Sequence, residues 1–210
     1  MSCRVKYILA LIAVGILFGG CAAFAPKADP SSFYILGALP EADSAVGKNV
    51  ADIKARFSVG LGPVELPAYL DRQQIATRTS TNRLSYSEND RWSAPLAETF
   101  SRVLGQNIAQ LLKPVQMSQF PWQGNEAPDY QVKIDVQQFE GNSNQDARLT
   151  AHWSVSDRNK KFLIGQSSQL KRRAGSQSVE DSVKALSETL GDLSREIADS
   201  LRSFEQQRKI

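Results

Sequence analysis

Residues 130–136 read Tyr-Gln-Val-Lys-Ile-Asp-Val, and this stretch decides the fold class. Tyr130, Val132, Ile134 and Val136 alternate with Gln131, Lys133, Asp135 and Gln137. A period of two, apolar on one side, is the pattern of a strand half-buried in a sheet. The alternation returns in Leu149, Ala151, Trp153 and Val155. Asp157-Arg158-Asn159-Lys160 then turns the chain, and 162–172 is expected to come back as a hairpin partner.

Beyond the hairpin the period lengthens. Val179, Val183, Leu186, Leu190, Leu193, Ile197, Leu201 and Phe204 form one stripe, which predicts a long C-terminal helix packed on the core. Ser178 is its expected N-cap, with Asp181 three residues on. Before the hairpin, Leu96, Phe100, Val103, Leu104, Ile108, Leu111 and Leu112 predict a first helix. It should start near Ser93, with Pro95 in its first turn, and stop at Pro114. Short strands are expected at 33–36, 51–59, 75–79, 83–87 and 115–120, with Gly60-Leu61-Gly62-Pro63 breaking the second. Strands, a helix, more strands and a last helix imply an α/β (α+β) fold. It is a single-domain sandwich of a mainly antiparallel mixed sheet and two main helices, the longer one C-terminal.

The N-terminus carries a different signal. Residues 1–6 hold Arg4 and Lys6 and no acid, and 7–18 form an apolar run. A spanning helix needs about 20 residues, so the run fits the centre of a signal peptide better than a retained anchor. It ends in Leu17-Phe18-Gly19-Gly20-Cys21, which resembles the lipobox of bacterial lipoproteins, although Phe18 stands where Leu is usual. The resemblance implies cleavage before Cys21 and acylation of that cysteine. Ala22 after it implies the outer membrane, with the domain on the periplasmic side. The expected organisation is a signal peptide at 1–20, a lipidated tether at 21–32 and a folded domain at 33–207.

Composition excludes several functions. The 210 residues contain 25 Lys+Arg, 22 Asp+Glu, two cysteines and one histidine, a formal charge of +3. Cleavage removes Arg4, Lys6 and Cys3, so the mature chain keeps 23 basic and 22 acidic side chains and one lipid-bearing cysteine. A nearly neutral chain lacks the clustered basic face of a nucleic-acid binder. One histidine and no free thiol argue against a zinc centre. No nucleophile elbow, phosphate loop, dinucleotide fingerprint or His-Glu-x-x-His occurs. His152 lies with Arg148, Thr150 and Ser154 on the polar side of its strand and reads as a surface residue. Glu88, Asp90 and Arg91 read as a solvated turn. Lys171-Arg172-Arg173 reads as a solvated edge that discourages stray pairing, with contact to anionic headgroups or an acidic partner as the other reading. Neither a metal nor any cofactor besides the lipid on Cys21 is expected.

Residues 59–112 are too rich in prolines, arginines and aromatics to be filler. Gly62-Pro63, Leu66-Pro67, Tyr69-Leu70-Asp71-Arg72, Ile75, Thr77-Arg78, Arg91-Trp92 and Pro95-Leu96 stand out. This pattern resembles the PqiC/YmbA family of ABC-type transport auxiliary lipoproteins, which work with MCE-domain proteins. Gln73 departs from it, standing where that family often has proline. The resemblance implies a non-enzymatic outer-membrane component that joins an MCE-domain protein of the same transport system. It also implies support of lipid movement and envelope integrity, and ring-like self-association. The motif residues Pro63, Pro67, Tyr69, Leu70, Asp71, Arg72, Arg78, Arg91 and Trp92 are the expected partner contacts. Among them, Pro63, Pro67 and Tyr69 are expected to shape the loop. Arg72, Arg78 and Arg91 are expected to pair with Asp71, Glu88 or Asp90. Trp92 is expected either to cover the helix N-terminus or to anchor an interface. The rival reading is an envelope lipoprotein that binds peptidoglycan or assists assembly of outer-membrane components.

The lipobox has a direct test. Cys21→Ser should abolish membrane attachment, and fractionation of the variant with the outer membrane would count against it.

Overall fold

The computed structural model describes residues 29–41, 57–113, 115–122 and 127–208. Cys21, the signal peptide and most of the expected 51–59 strand lie outside the described residues. All regular elements belong to one compact unit, Ser31–Ile210. They are β1 Ser32–Tyr34, β2 Ser58–Glu65, β3 Gln74–Ser80, β4 Arg83–Trp92, α1 Leu96–Leu111, β5 Gln116–Gln119, β6 Tyr130–Asn142, β7 Asp146–Asp157, β8 Phe162–Arg173 and α2 Val179–Arg208.

The eight strands make one mixed sheet. Its long ladders, β6 with β7 and β7 with β8, are antiparallel and follow the alternation that marked them in the sequence. The four parallel pairings, β1 with β4, β2 with β5, β2 with β6 and β3 with β6, are short. Both helices pack against the sheet and against each other. Phe100 of α1 meets Phe139 of β6 edge-on at 5.1 Å, and Phe204 of α2 stacks on Tyr130 at 6.4 Å. The inward residues of β6 and β7, among them Val132, Ile134, Leu149 and Trp153, are at most 2% exposed.

The α2 stripe is the main apolar contribution to this layer. Leu186, Leu190, Leu193, Ile197 and Leu201 are at most 1% exposed, and each such burial stabilises by about 1.5–3 kcal/mol. Ser178 caps the helix as expected, its Oγ accepting from Asp181 N–H at 3.1 Å. Polar pins sit within the apolar layer. Asn107 of α1 donates to Ser194 Oγ of α2 at 3.1 Å, and Trp153 Nε1 donates to Ser168 Oγ at 2.9 Å, which in turn donates to Glu196 of α2. Each satisfies a group whose burial unpaired costs about 1–3 kcal/mol.

After β1 the chain becomes a strap over the helix pair. Gly37 N–H donates to Ser187 Oγ, Leu39 N–H to Asn107 Oδ1 at 2.8 Å, and Gln110 Nε2 to Pro40 O at 2.8 Å. Gly191 makes this close approach feasible, because a Cβ there would stand 2.7 Å from Leu39 Cδ2.

Three expectations are corrected. Helix α1 starts at Leu96 rather than near Ser93, with Pro95 in the cap position and no side-chain cap. Ser93 is held elsewhere, its N–H donating to Tyr34 O at 2.8 Å. The Gly60–Pro63 stretch does not end a strand, since β2 runs through it. Gly62, at φ 120°, absorbs the irregularity as a register shift between Leu61 and Val64, a conformation that favours glycine. Glu88, Asp90 and Arg91 form no turn but continue β4, where Asp90 accepts from Tyr34 OH and Ser87 Oγ.

Leu190→Asp places a carboxylate at a position that is 0% exposed. It should destabilise the domain by about 4 kcal/mol or more, read as a large fall in Tm.

Candidate functional site

Strand β6 explains why residues 66–73 leave the sheet. One edge of β6 pairs with β7 along its length. The other edge is shared, with β2 alongside Tyr130 to Asp135 and β3 alongside Gly141 and Asn142. Between the registers Glu65↔Asp135 and Thr77↔Gly141, β6 advances six residues while the opposing chain advances twelve. The surplus is ejected as a loop, and the motif residues from Leu66 to Arg72 occupy it.

The loop has a rigid build. Pro67 sits at φ −59°, ψ 140°, and a single 3-10 turn covers Ala68–Leu70. Leu70 N–H donates to Pro67 O at 2.9 Å and Asp71 N–H to Ala68 O at 3.1 Å. Leu70 turns inward and is 5% exposed, whereas Asp71 and Arg72 stand in solvent. The Arg72 guanidinium lies over the Tyr86 ring, 4.7 Å from its centre, and Tyr86 OH donates back to Tyr69 O at 3.2 Å.

Beneath the loop lies Glu140, with its side chain fully enclosed. Arg78 Nε donates to Oε1 at 2.6 Å, Gln138 Nε2 to Oε1 at 2.8 Å, and Tyr69 OH to Oε2 at 2.6 Å. Phe139 N–H adds a contact to Oε2 at 3.2 Å. Burial, then the bond to Glu140, pushes the Tyr69 phenol well above its ordinary range. The bond to Glu140 likewise raises Arg78. A carboxylate this enclosed is tolerable only with such donors, since a buried charge without partners costs several kcal/mol. Glu140 is therefore a pin that ties the loop, through Tyr69, and β3, through Arg78, to the central strand.

This geometry corrects the expected ion pairs. Arg78 pairs with Glu140, 62 residues away, and Arg72 stacks on Tyr86. Arg91 Nε is enclosed with no hydrogen-bond partner among the described residues. Asp71 and Glu88 have no part in these contacts. Trp92 is 6% exposed and belongs to the core, so it is no surface anchor, and its backbone N–H closes the loop by donating to Gln73 O at 2.7 Å. Pro63 lies apart from the loop, half-buried in β2. Pro67, Tyr69, Leu70, Asp71, Arg72 and Arg78 come together, Trp92 closes the end of the loop, and Pro63 stands apart.

Glu140 was not singled out by sequence reasoning. Its trace there is the step from Val136 to Phe139, an odd interval in an even alternation that marks the bulge between Val136 and Gln138.

The remaining chemistry is sparse. A shallow depression of about 600 Å³ beside Pro63 brings Glu65, Lys133, Asp135 and His152 near one another. His152 is exposed there as expected. Among the described residues no group of three or more His, Cys, Asp or Glu side chains is placed to hold a metal ion, and no helix is long and apolar enough to cross a membrane. Lys171 and Arg172 are structural, Lys171 pairing with Asp146 at 2.9 Å and Arg172 gripping Asp192 of α2 through two bonds of 2.7 Å. At the far end of β6, Tyr130 OH donates to Glu205 Oε1 at 2.7 Å, and burial followed by that bond pushes its phenol up to about 12.

Arg78→Ala leaves Glu140 enclosed without its cation. It should destabilise the domain by about 3 kcal/mol, measured by urea unfolding, and expose the Arg72 bond to trypsin. An unchanged midpoint and no new cleavage would show that the pair does not hold the loop.

Solved structures share the fold, two of them over nearly their whole length. The crystal structure of an uncharacterized protein superposes with a TM-score of 0.67 at 18% identity, covering 81% of this chain and 98% of that one. Protein XCC0632 from Xanthomonas campestris gives a TM-score of 0.68 at 14% identity, covering 85% of this chain and 100% of that one. No curated protein matches the chain. The family model for the ABC-type transport auxiliary lipoprotein component matches residues 38–198, from the strap after β1 to the last third of α2. The chain belongs to the ABC-type transport auxiliary lipoprotein family.

Proposed function

We propose that this protein is the outer-membrane, non-enzymatic auxiliary component of an MCE-type intermembrane lipid transport system. In this reading, residues 1–20 are removed as a signal peptide. Cys21 carries the lipid, 21–32 tether the domain, and 33–207 face the periplasm. Membership in the auxiliary lipoprotein family supports the role, and the lipobox ending at Cys21 supports the anchor.

The observation that carries the docking role is the ejected, pinned loop. A sheet could be closed along β6 without it, yet the chain spends six surplus residues there and ties them down with an enclosed carboxylate. A preorganised loop loses little conformational freedom when it binds, which favours affinity. Its exposed tip offers one anion and one cation, Asp71 and Arg72, side by side. Paired opposite charges confer register and partner choice more than raw affinity. The protein thus acts as a fixed dock for an MCE-domain protein reaching across the periplasm.

Crosslinking in intact cells followed by purification should recover an MCE-domain partner. Reversing the tip anion, Asp71→Lys, should reduce that recovery severalfold while leaving Tm within a degree or two, since the Asp71 side chain is exposed and surface substitutions change stability by only about 0.5 kcal/mol. Recovery of peptidoglycan or of outer-membrane assembly proteins in place of an MCE-domain protein would overturn the assignment.

A further inference from the structure

Four large apolar side chains stand exposed among the described residues: Phe33, Ile35, Phe120 and Phe162. Two of them share one short stretch. Phe33 is 64% and Ile35 55% exposed, while Tyr34 between them is half-buried and Leu36 is 3% exposed. Tyr34 and Leu36 face the protein, so Phe33 and Ile35 point away from it. A strand apolar on both sides is normally covered on both sides. Here no described residue covers the outward side, and among the described residues β1 is an edge strand paired with β4.

We propose that Phe33 and Ile35 seat in the lipid surface that holds the acyl chains of Cys21. This rests on the anchor reading given above. The twelve residues from Cys21 to Phe33 span at most about 40 Å, so the edge never travels far from the bilayer. Tethering turns the second contact into an intramolecular event at an effective concentration that reaches the mM range, so a contact too weak to act alone is populated. The surroundings suit it. Residues 31–40, Ser-Ser-Phe-Tyr-Ile-Leu-Gly-Ala-Leu-Pro, include no charged side chain, so the stretch itself carries no ion to headgroup depth. Its β4 neighbours in the ladder are Asp90, opposite Ser32, and Arg91, opposite Phe33, one anion and one cation side by side.

A second copy of the chain is the weaker occupant. A stable protein interface buries about 1,200 Å² or more, which two side chains do not supply. A bilayer interface takes aromatic and branched side chains without demanding a complementary shape.

The test uses the full lipidated protein purified from membranes. With Cys21 occupied and Cys3 removed, an introduced cysteine is the only thiol to label. Phe33→Cys, Ile35→Cys and, as a control, Gln169→Cys would each carry a thiol-reactive bimane. Gln169 is exposed on β8, at the other edge of the sheet from β1. The probe surface is a vesicle of phosphatidylethanolamine and phosphatidylglycerol with brominated acyl chains. Labels at 33 and 35 should be quenched severalfold more strongly than the label at 169. Protein that floats with the vesicles but shows equal quenching at the three positions overturns the membrane edge and leaves the anchor standing. Label–label contact at 33 or 35 without lipid quenching overturns it in favour of a second copy. Protein that fails to float overturns the anchor and, with it, the membrane edge.

Discussion

A β-strand has two edges, and β6 must serve three partners. One edge is taken whole by β7, so β2 and β3 divide the other. β2 and β3 both run parallel to β6, and the chain between them carries six residues more than the stretch of β6 it passes. The position of the 66–73 loop follows from that division, and its surplus length sets it off from the sheet. The enclosed Glu140 sits close to where β3 takes over, and its bond to Arg78 holds the second strand in place. Without that attachment β3 would have only two residue pairs on β6 to fix its register.

Much of this was legible in the chain. The hairpin of β7 and β8 and the α2 stripe follow from periods of two and of three to four, because burial on one face imposes those periods directly. Local readings failed where a residue's partner lies far away in sequence. Ser93 has the chemistry of a cap, but its N–H donates to Tyr34 across 59 positions, which ties it to β1, and the helix begins later. Arg78 has acidic residues nearby in sequence, yet burial selects Glu140, since a charge in a closed site needs its counter-ion in direct contact. Gly62-Pro63 looks like a stop signal and is instead a bulge inside a strand, a distinction that depends on the neighbouring strands.

The candidate site was legible as a list of residues and illegible as a shape. The proline and aromatic content of 63–72 marked it as unusual, and the structure assigns separate tasks to its members. Leu70 and Tyr69 point inward and hold, Pro67 stiffens, and Asp71 and Arg72 are presented outward. A sequence pattern names such residues together without separating their roles. Burial separates them: what is enclosed acts on the loop, and what is exposed is available to something else.

The strap at Leu36–Pro40 has a mechanical consequence. It is bonded to Ser187 of α2 and to Asn107 and Gln110 of α1, and Asn107 is itself bonded to α2. Tension entering at Ser31 along β1 therefore meets several bonds that lead into both helices. The N-terminal end of the domain is a mount and not a hinge. A load that enters at Ser31 is therefore shared by the sheet, through β4, and by both helices, and the 66–73 loop is fixed to that same sheet through Glu140.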